Sequence, residues 1–289
     1  MDAIVQQIVN GIITGAMYAL MASGLSLIWG TMKMLNLAHG EFYMLGGYFM
    51  FILNVSTGFH PIVAGILSIV GVFFVAVIVE MLIIRYLIDK PGFEVNHLIA
   101  TFGISIIFQN MALNLWGERF QNIPYYLNND ISMFNVNISS QRLLILAVSV
   151  LVIVLFWAYL KYSRFGNALR ATSQDRDAAT INGVNTRIVY SITFGISAVL
   201  ATVAAIMLAP IYSVNPWMGA GPLTKALAVV VLGGLGSLGG AILGGISLGL
   251  LEAFGVLIFS SEWQNVIAFT VLILVLWVRP SGLFGTKEW

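Results

Sequence analysis

Cysteine is absent from the 289 residues, so disulfides and thiolate metal sites are excluded. Charge is nearly as scarce, with Asp, Glu, Lys and Arg at 9% of the chain against about 25% in soluble domains. Three histidines, His39, His60 and His97, are scattered and form no ligand cluster, so no metal is expected. Paired carboxylates, a nucleophile–base constellation and a Walker A motif are all missing; Gly285-Thr286-Lys287 only brushes against the last. No catalytic residue is therefore expected. The net charge of +1 gives no case for a nucleic-acid partner.

What fills the chain instead is apolar sequence, 59% of all residues. A surface with so few charges must face lipid. A membrane-crossing helix needs about 20 predominantly apolar residues. Residues 61–84, 97–116, 143–160 and 188–210 meet that length; 4–29, 40–56, 221–233, 241–260 and 262–278 are less regular. The segments of alternating polarity that a barrel needs are absent. The expected fold is an all-α polytopic membrane protein of eight or nine helices, some broken or re-entrant, in one domain over 1–289. The opening residues lack a basic n-region, so 4–29 is expected to be a retained span.

Ten of the thirteen basic residues fall on one side of this topology: Lys33, Arg85, Lys90, Lys161, Arg164, Arg170, Arg176, Arg187, Arg279 and Lys287. The positive-inside rule assigns that side to the cytoplasm, with the N-terminus outside and the C-terminus inside. Between spans, residues 162–187 form the longest strongly polar inner loop. Good helix formers over Asn167–Ile181 predict one short helix with an apolar strip of Ala168, Ala171, Ala178, Ala179 and Ile181, stopped by Gly183. Such a helix either docks on a soluble partner or is a solvated loop that sets topology.

A polar cluster of Asn36, His39 and Glu41, with Gly40 beside it, interrupts apolar sequence over 34–48. Asn36 or His39 could cap a helix beginning near Gly40, with Glu41 favourable in its first turn. Alternatively the cluster marks a broken helix lining a pathway, where irregular backbone is tolerated only beside protein or water. In the second half, Gly234, Gly236 and Gly239 spell G-x-G-x-x-G, but the flanks are helical and the strands of a dinucleotide site are missing. Gly236, Gly240 and Gly244 recur every fourth residue, as do Gly245 and Gly249, a spacing that lets membrane helices approach closely. Paired interruptions in two halves point to a central pathway. Lys225, Glu80 and Glu252 are isolated charges in apolar sequence. Lys225 and Glu80 are expected to snorkel to an interface; the alternatives are Lys225–Glu252 and Glu80–Arg85 pairs.

The stretch Asn36-Leu37-Ala38-His39-Gly40-Glu41, continuing through Leu45-Gly46-Gly47-Tyr48, closely resembles the N-F-A-H-G-(D/E)-x-x-x-L-G-(A/S)-Y hallmark of branched-chain amino acid ABC transporter permeases. It departs at Leu37 and Gly47. Gln7-Ile8-Val9-Asn10-Gly11 and Arg279-Pro280-Ser281-Gly282-Leu283-Phe284-Gly285 fit as well, so the likeness covers essentially the whole chain. Asp177-Ala178-Ala179 with Gly183 resembles the EAA…G loop that seats a permease on its ATPase, Asp standing for Glu.

The resemblance implies a non-enzymatic subunit of an importer of leucine, isoleucine and valine in a bacterial or archaeal inner membrane. Its implied partners are a second homologous permease, two ATP-binding subunits and an external substrate-binding protein. No cofactor is expected on this chain, ATP and Mg belonging to those partners. The pathway residues expected are Asn36, His39, Gly40, Glu41, Gly46, Gly233, Gly234, Gly236, Gly239 and Gly240. The coupling residues expected are Arg170, Asp175, Asp177, Ala178, Ala179 and Gly183. An amide or urea permease of the same family, or an ion-coupled carrier or channel, is the alternative.

Overall fold

A computed structural model describes residues 2–88, 90–127, 130–133, 136–258, 260 and 263–284. Helix α1 spans Asp2–Met32, α2 His39–Phe51, α3 Pro61–Val79, α4 Arg85–Ile88, α5 Phe93–Trp116 and α6 Ser140–Tyr162. After α6 come α7 (Arg164–Gln174), α8 (Arg176–Ile181), α9 (Thr186–Leu208), α10 (Ala220–Gly233), α11 (Leu238–Ile258) and α12 (Gln264–Val278). Six of the described helical stretches are long and apolar enough to cross a membrane; α10 and α12 are shorter. Side chains such as Ile62, Phe74, Ile99, Phe102, Leu151 and Leu155 stand exposed along α3, α5 and α6. An apolar exposed belt of that extent suits lipid. The buried core lies where α1, α9, α10 and α11 meet.

Small residues set that core. A Cβ added at Gly245 would stand 2.5 Å from the Ala19 nitrogen, and one at Gly249 2.5 Å from the Gly15 Cα, so α11 lies directly on α1. A second face of α11 meets α10, where Gly244 approaches the Val229 oxygen and Gly240 meets Gly233. The fourfold glycine spacing thus serves two different neighbours, as close helix packing requires.

At one end of the bundle, Gly30 of α1 meets Gly236, the Leu35 amide reaches α5, and the backbone amides of Leu283 and Phe284 donate to the Leu232 and Gly233 carbonyls closing α10 (2.8 and 3.0 Å). At the other end Asn10 meets Arg142, Tyr48 stacks on Trp116, and Gln121 pairs with Val214. The described ends of the chain therefore lie at opposite ends of the bundle.

Several expectations need correction. Residues 167–181 are not one helix: Asp175 is extended, and its carboxylate accepts from the Asp177 and Ala178 amides, starting α8 anew. A short acid that can cap a following turn competes with continuing the first one. The connection between α5 and α6 includes a hairpin of β1 (Asp130–Met133) and β2 (Val136–Ser139), with Asp130 opposite Ser139. Beside it Tyr126 donates to the Ile206 carbonyl, and burial pushes its phenol above the ordinary range. Glu80 does not snorkel. It is fully buried, and a π-helical turn over Glu80–Ile84 follows α3. That wider turn brings residue i+5 under residue i, so Arg85 reaches Glu80 at 3.0 Å, while Ser191 donates to the same carboxylate at 2.5 Å.

Candidate functional site

Between α1 and α2 the chain turns back into the bundle. The His39 ring lies 3.2 Å from the Met21 carbonyl, and Met21 is eleven residues before the end of α1 at Met32. At 1.5 Å per residue that is about 16 Å inward, half of a hydrocarbon core about 30 Å thick. Residues 33–38 make this climb without helix, so their amides need other partners. The Leu35 amide donates to His97 Nε2 and the Leu37 amide to Thr101 Oγ1, both at 3.3 Å. The Ala38 amide donates to Asn36 Oδ1 at 3.0 Å. Irregular backbone at depth survives because protein satisfies it.

The capping expectation fails in detail. Ala38 is the cap of α2 and no side chain caps it; Asn36 bonds two residues ahead, and His39 turns to Met21 and, at 3.3 Å, to Ser197. Glu41 does lie in the first turn, where its Oε1 accepts from Ser105 and Gln109 at 2.8 Å. The support comes from one stripe of α5, namely His97, Thr101, Ser105 and Gln109. The sequence shows His97 only as one of three scattered histidines, yet the spacing of four puts it on one helical face with Thr101, Ser105 and Gln109.

A second helix also starts at depth. α10 begins at Ala220, and a Cβ placed on Gly40 would stand 2.6 Å from the Gly219 carbonyl oxygen. So α2 and α10 begin back to back inside the bundle and run towards opposite ends. The glycine run does interrupt the helices, Gly234 and Gly236, both with positive φ, forming the turn into α11; a further interruption, at 209–219, is the one that places a helix start beside Gly40. Gly46 packs on Thr202, Gly233 on Gly240, and a Cβ on Gly239 would meet nothing.

Beside the two helix starts lies a cavity of about 770 Å³. Gln7, Asn10, Arg142 and Gln264 line it towards the end opposite Lys33; Met17, Tyr18, Tyr43, Met218 and Lys225 line its depth. None of the ten expected pathway residues lines it. Gly40 and Glu41 stand one turn behind Tyr43 on α2. Lys225 does not snorkel: it is buried and ion-paired with Glu252, which also accepts from the Tyr18 hydroxyl at 2.8 Å. Both charges line the cavity. No group of three or more His, Cys, Asp or Glu suited to a metal occurs among the described residues.

At the basic end, α7 carries Arg170, α8 carries Asp177, Ala178 and Ala179, Asp175 joins the two helices and Gly183 follows α8. Arg170 donates to the Leu160 carbonyl and to Asn167, Ala179 is buried against the body, and Ala178 and Gly183 are exposed. Gly183 has φ +85°, the left-handed value a helix C-terminus favours. Ile181, beside it, is 86% exposed.

A family model described as branched-chain amino acid transport system, permease component, matches residues 7–276. The high-affinity branched-chain amino acid transport system permease protein BraD of Pseudomonas aeruginosa is 36% identical, over 98% of this chain and 96% of its own. LivH of Escherichia coli, with the same description, is 35% identical over the same shares. A probable LivH of Methanocaldococcus jannaschii is 26% identical over 97% and 92%. This multi-pass membrane chain belongs to the family of branched-chain amino acid transport permeases.

Proposed function

We propose that the chain forms the translocation pathway of an ATP-driven importer of branched-chain amino acids in an inner membrane. It would pair with a second permease, two ATPases that bind ATP and Mg, and an external binding protein. In this reading the basic end is cytoplasmic and the cavity opens outside. The observation that carries the reading is the pairing of a cavity at one end with an apolar side chain, Ile181, left bare on α8 at the opposite, basic end.

Closure of the ATPases would push on α7 and α8 and move α2 and α10 relative to one another. The joints of that motion are Asn36, His39, Gly40, Glu41 and Gly46 in the first half and the turn from Gly233 to Gly240 in the second. Arg170, Asp175, Asp177, Ala178, Ala179 and Gly183 hold the pushed surface. The two forms must differ in their contacts with cargo for the stroke to do work.

Bulk at the exposed positions tests this. Ala178→Trp and Gly183→Val are expected to cut leucine-stimulated ATPase activity and uptake in reconstituted vesicles at least about tenfold, with insertion intact. Full coupled uptake by both variants removes the role of the loop. Wild-type vesicles that take up urea and not leucine would move the cargo to the amide class.

A further inference from the structure

A membrane protein has reason to avoid the Lys225–Glu252 pair, because lone charges at depth cost about 2.5–3.5 kcal/mol or more and apolar residues would pack as well. Here both side chains are nearly buried, at 10% and 3% exposure, yet both line the cavity instead of being sealed among helices. Glu252 has a second partner, Tyr18, across from α1. Gly221 and Pro222, in the first turn of α10, line the same wall, so the partly positive end of that helix adds to the Lys225 side. Ile13, Met17, Ile145, Leu208, Ile211 and Met218 supply an apolar surround.

We infer that Lys225 and Glu252, oriented by Tyr18, form a binding site within the permease itself for the charged head of an α-amino acid. The inference rests on the importer reading above and locates its cargo. An α-amino acid zwitterion presents one carboxylate and one ammonium on the same carbon. Its carboxylate takes the Lys225 ammonium and its ammonium takes the Glu252 carboxylate, so one ion pair becomes two and no charge is stranded. The site and the cargo each carry zero net charge, so occupancy adds no net charge to the buried space. A ligand lacking either group would leave Lys225 or Glu252 partly unpaired, the kind of loss by which polar sites reject analogues. The side chain of the cargo lies on the apolar surround.

The test uses the assembled transporter in lipid nanodiscs without binding protein, so that any selectivity belongs to the permease. Leucine is expected to raise Tm, whereas 4-methylpentanoate, lacking the ammonium, and isopentylamine, lacking the carboxylate, are expected not to at equal concentration. In Lys225→Met/Glu252→Gln the ligand-free Tm is expected to lie above that of Lys225→Met alone, because no charge is left alone. The leucine response should vanish, and uptake with binding protein should fall at least about tenfold, the weight of one charge-assisted bond. A purely structural pair predicts recovered Tm with leucine response and uptake intact, which overturns the inference, as does a wild type whose Tm ignores leucine. Should the double variant fail to insert, Tyr18→Phe keeps both charges and decides: a several-fold weaker leucine response supports the site, and an unchanged one overturns it. Wild-type uptake of urea in place of leucine overturns the amino acid cargo of the importer reading instead, a result distinct from the others.

Discussion

Two buried carboxylates, Glu80 and Glu252, face the same physical problem and meet it differently. Each has one cationic partner and one hydroxyl: Arg85 and Ser191 for the first, Lys225 and Tyr18 for the second. Glu80 and Arg85 lie five residues apart on one chain segment, at the basic end, where the Arg85 side chain is 28% exposed. Lys225 and Glu252 join two helices, and neither reaches an end of the bundle; their outlet is the cavity. The first pair therefore fastens α3 to α9 and can do little else. The second has a free approach for a solute. Burial alone does not tell a structural charge from a functional one; the space beside it does.

The comparison breaks first at Arg85→Ala. That change strands a fully buried carboxylate and is expected to cost about 3–5 kcal/mol of stability, measured by denaturant unfolding in detergent. A loss below about 1 kcal/mol would mean that Glu80 does not depend on Arg85. Lys225→Met should cost less, about 2–3 kcal/mol, because the cavity gives Glu252 some solvent. Adding Glu252→Gln should recover at least about 1 kcal/mol of it, since contacting residues do not add. Simple addition in that double-mutant cycle would show the two groups to be independent. Smallest are Ser191→Ala and Tyr18→Phe, each expected to cost about 1 kcal/mol for one lost hydrogen bond. Equal stability losses but unequal losses of uptake, larger for Tyr18→Phe, would sharpen the distinction between fastening and binding.

The helices were legible because the apolar runs are long and the charges mark their ends. The Glu80–Arg85 pair was visible as an alternative, since both residues sit in one run. The expectation that Glu80 and Lys225 would snorkel failed because side-chain reach says nothing about what lies alongside. The depth of the break at His39 could not be read, because it depends on how far residues 33–38 climb beside α1 and α5. Its supporting stripe, His97 through Gln109, was present in the spacing and was missed because each residue was weighed singly. The bounds of α10 were legible at 221–233, but the depth of its start was not, because Gly219 matters only through Gly40, 179 positions away. The cavity is likewise a product of packing, lined from α1, α2, α6, the end of α9 with the 209–219 connection, α10, α11 and α12 together, and no local pattern encodes it.

The bonds from Leu283 and Phe284 to the last carbonyls of α10 have a practical corollary. The rear end of the chain is moored to the same rod that bears Lys225. Trimming the protein before Leu283 would strip two acceptors of their donors and loosen that rod from below. Affinity handles and fluorescent labels fused behind residue 284 would tug on it. For work that must leave the cavity undisturbed, reporters belong at the Asp2 end.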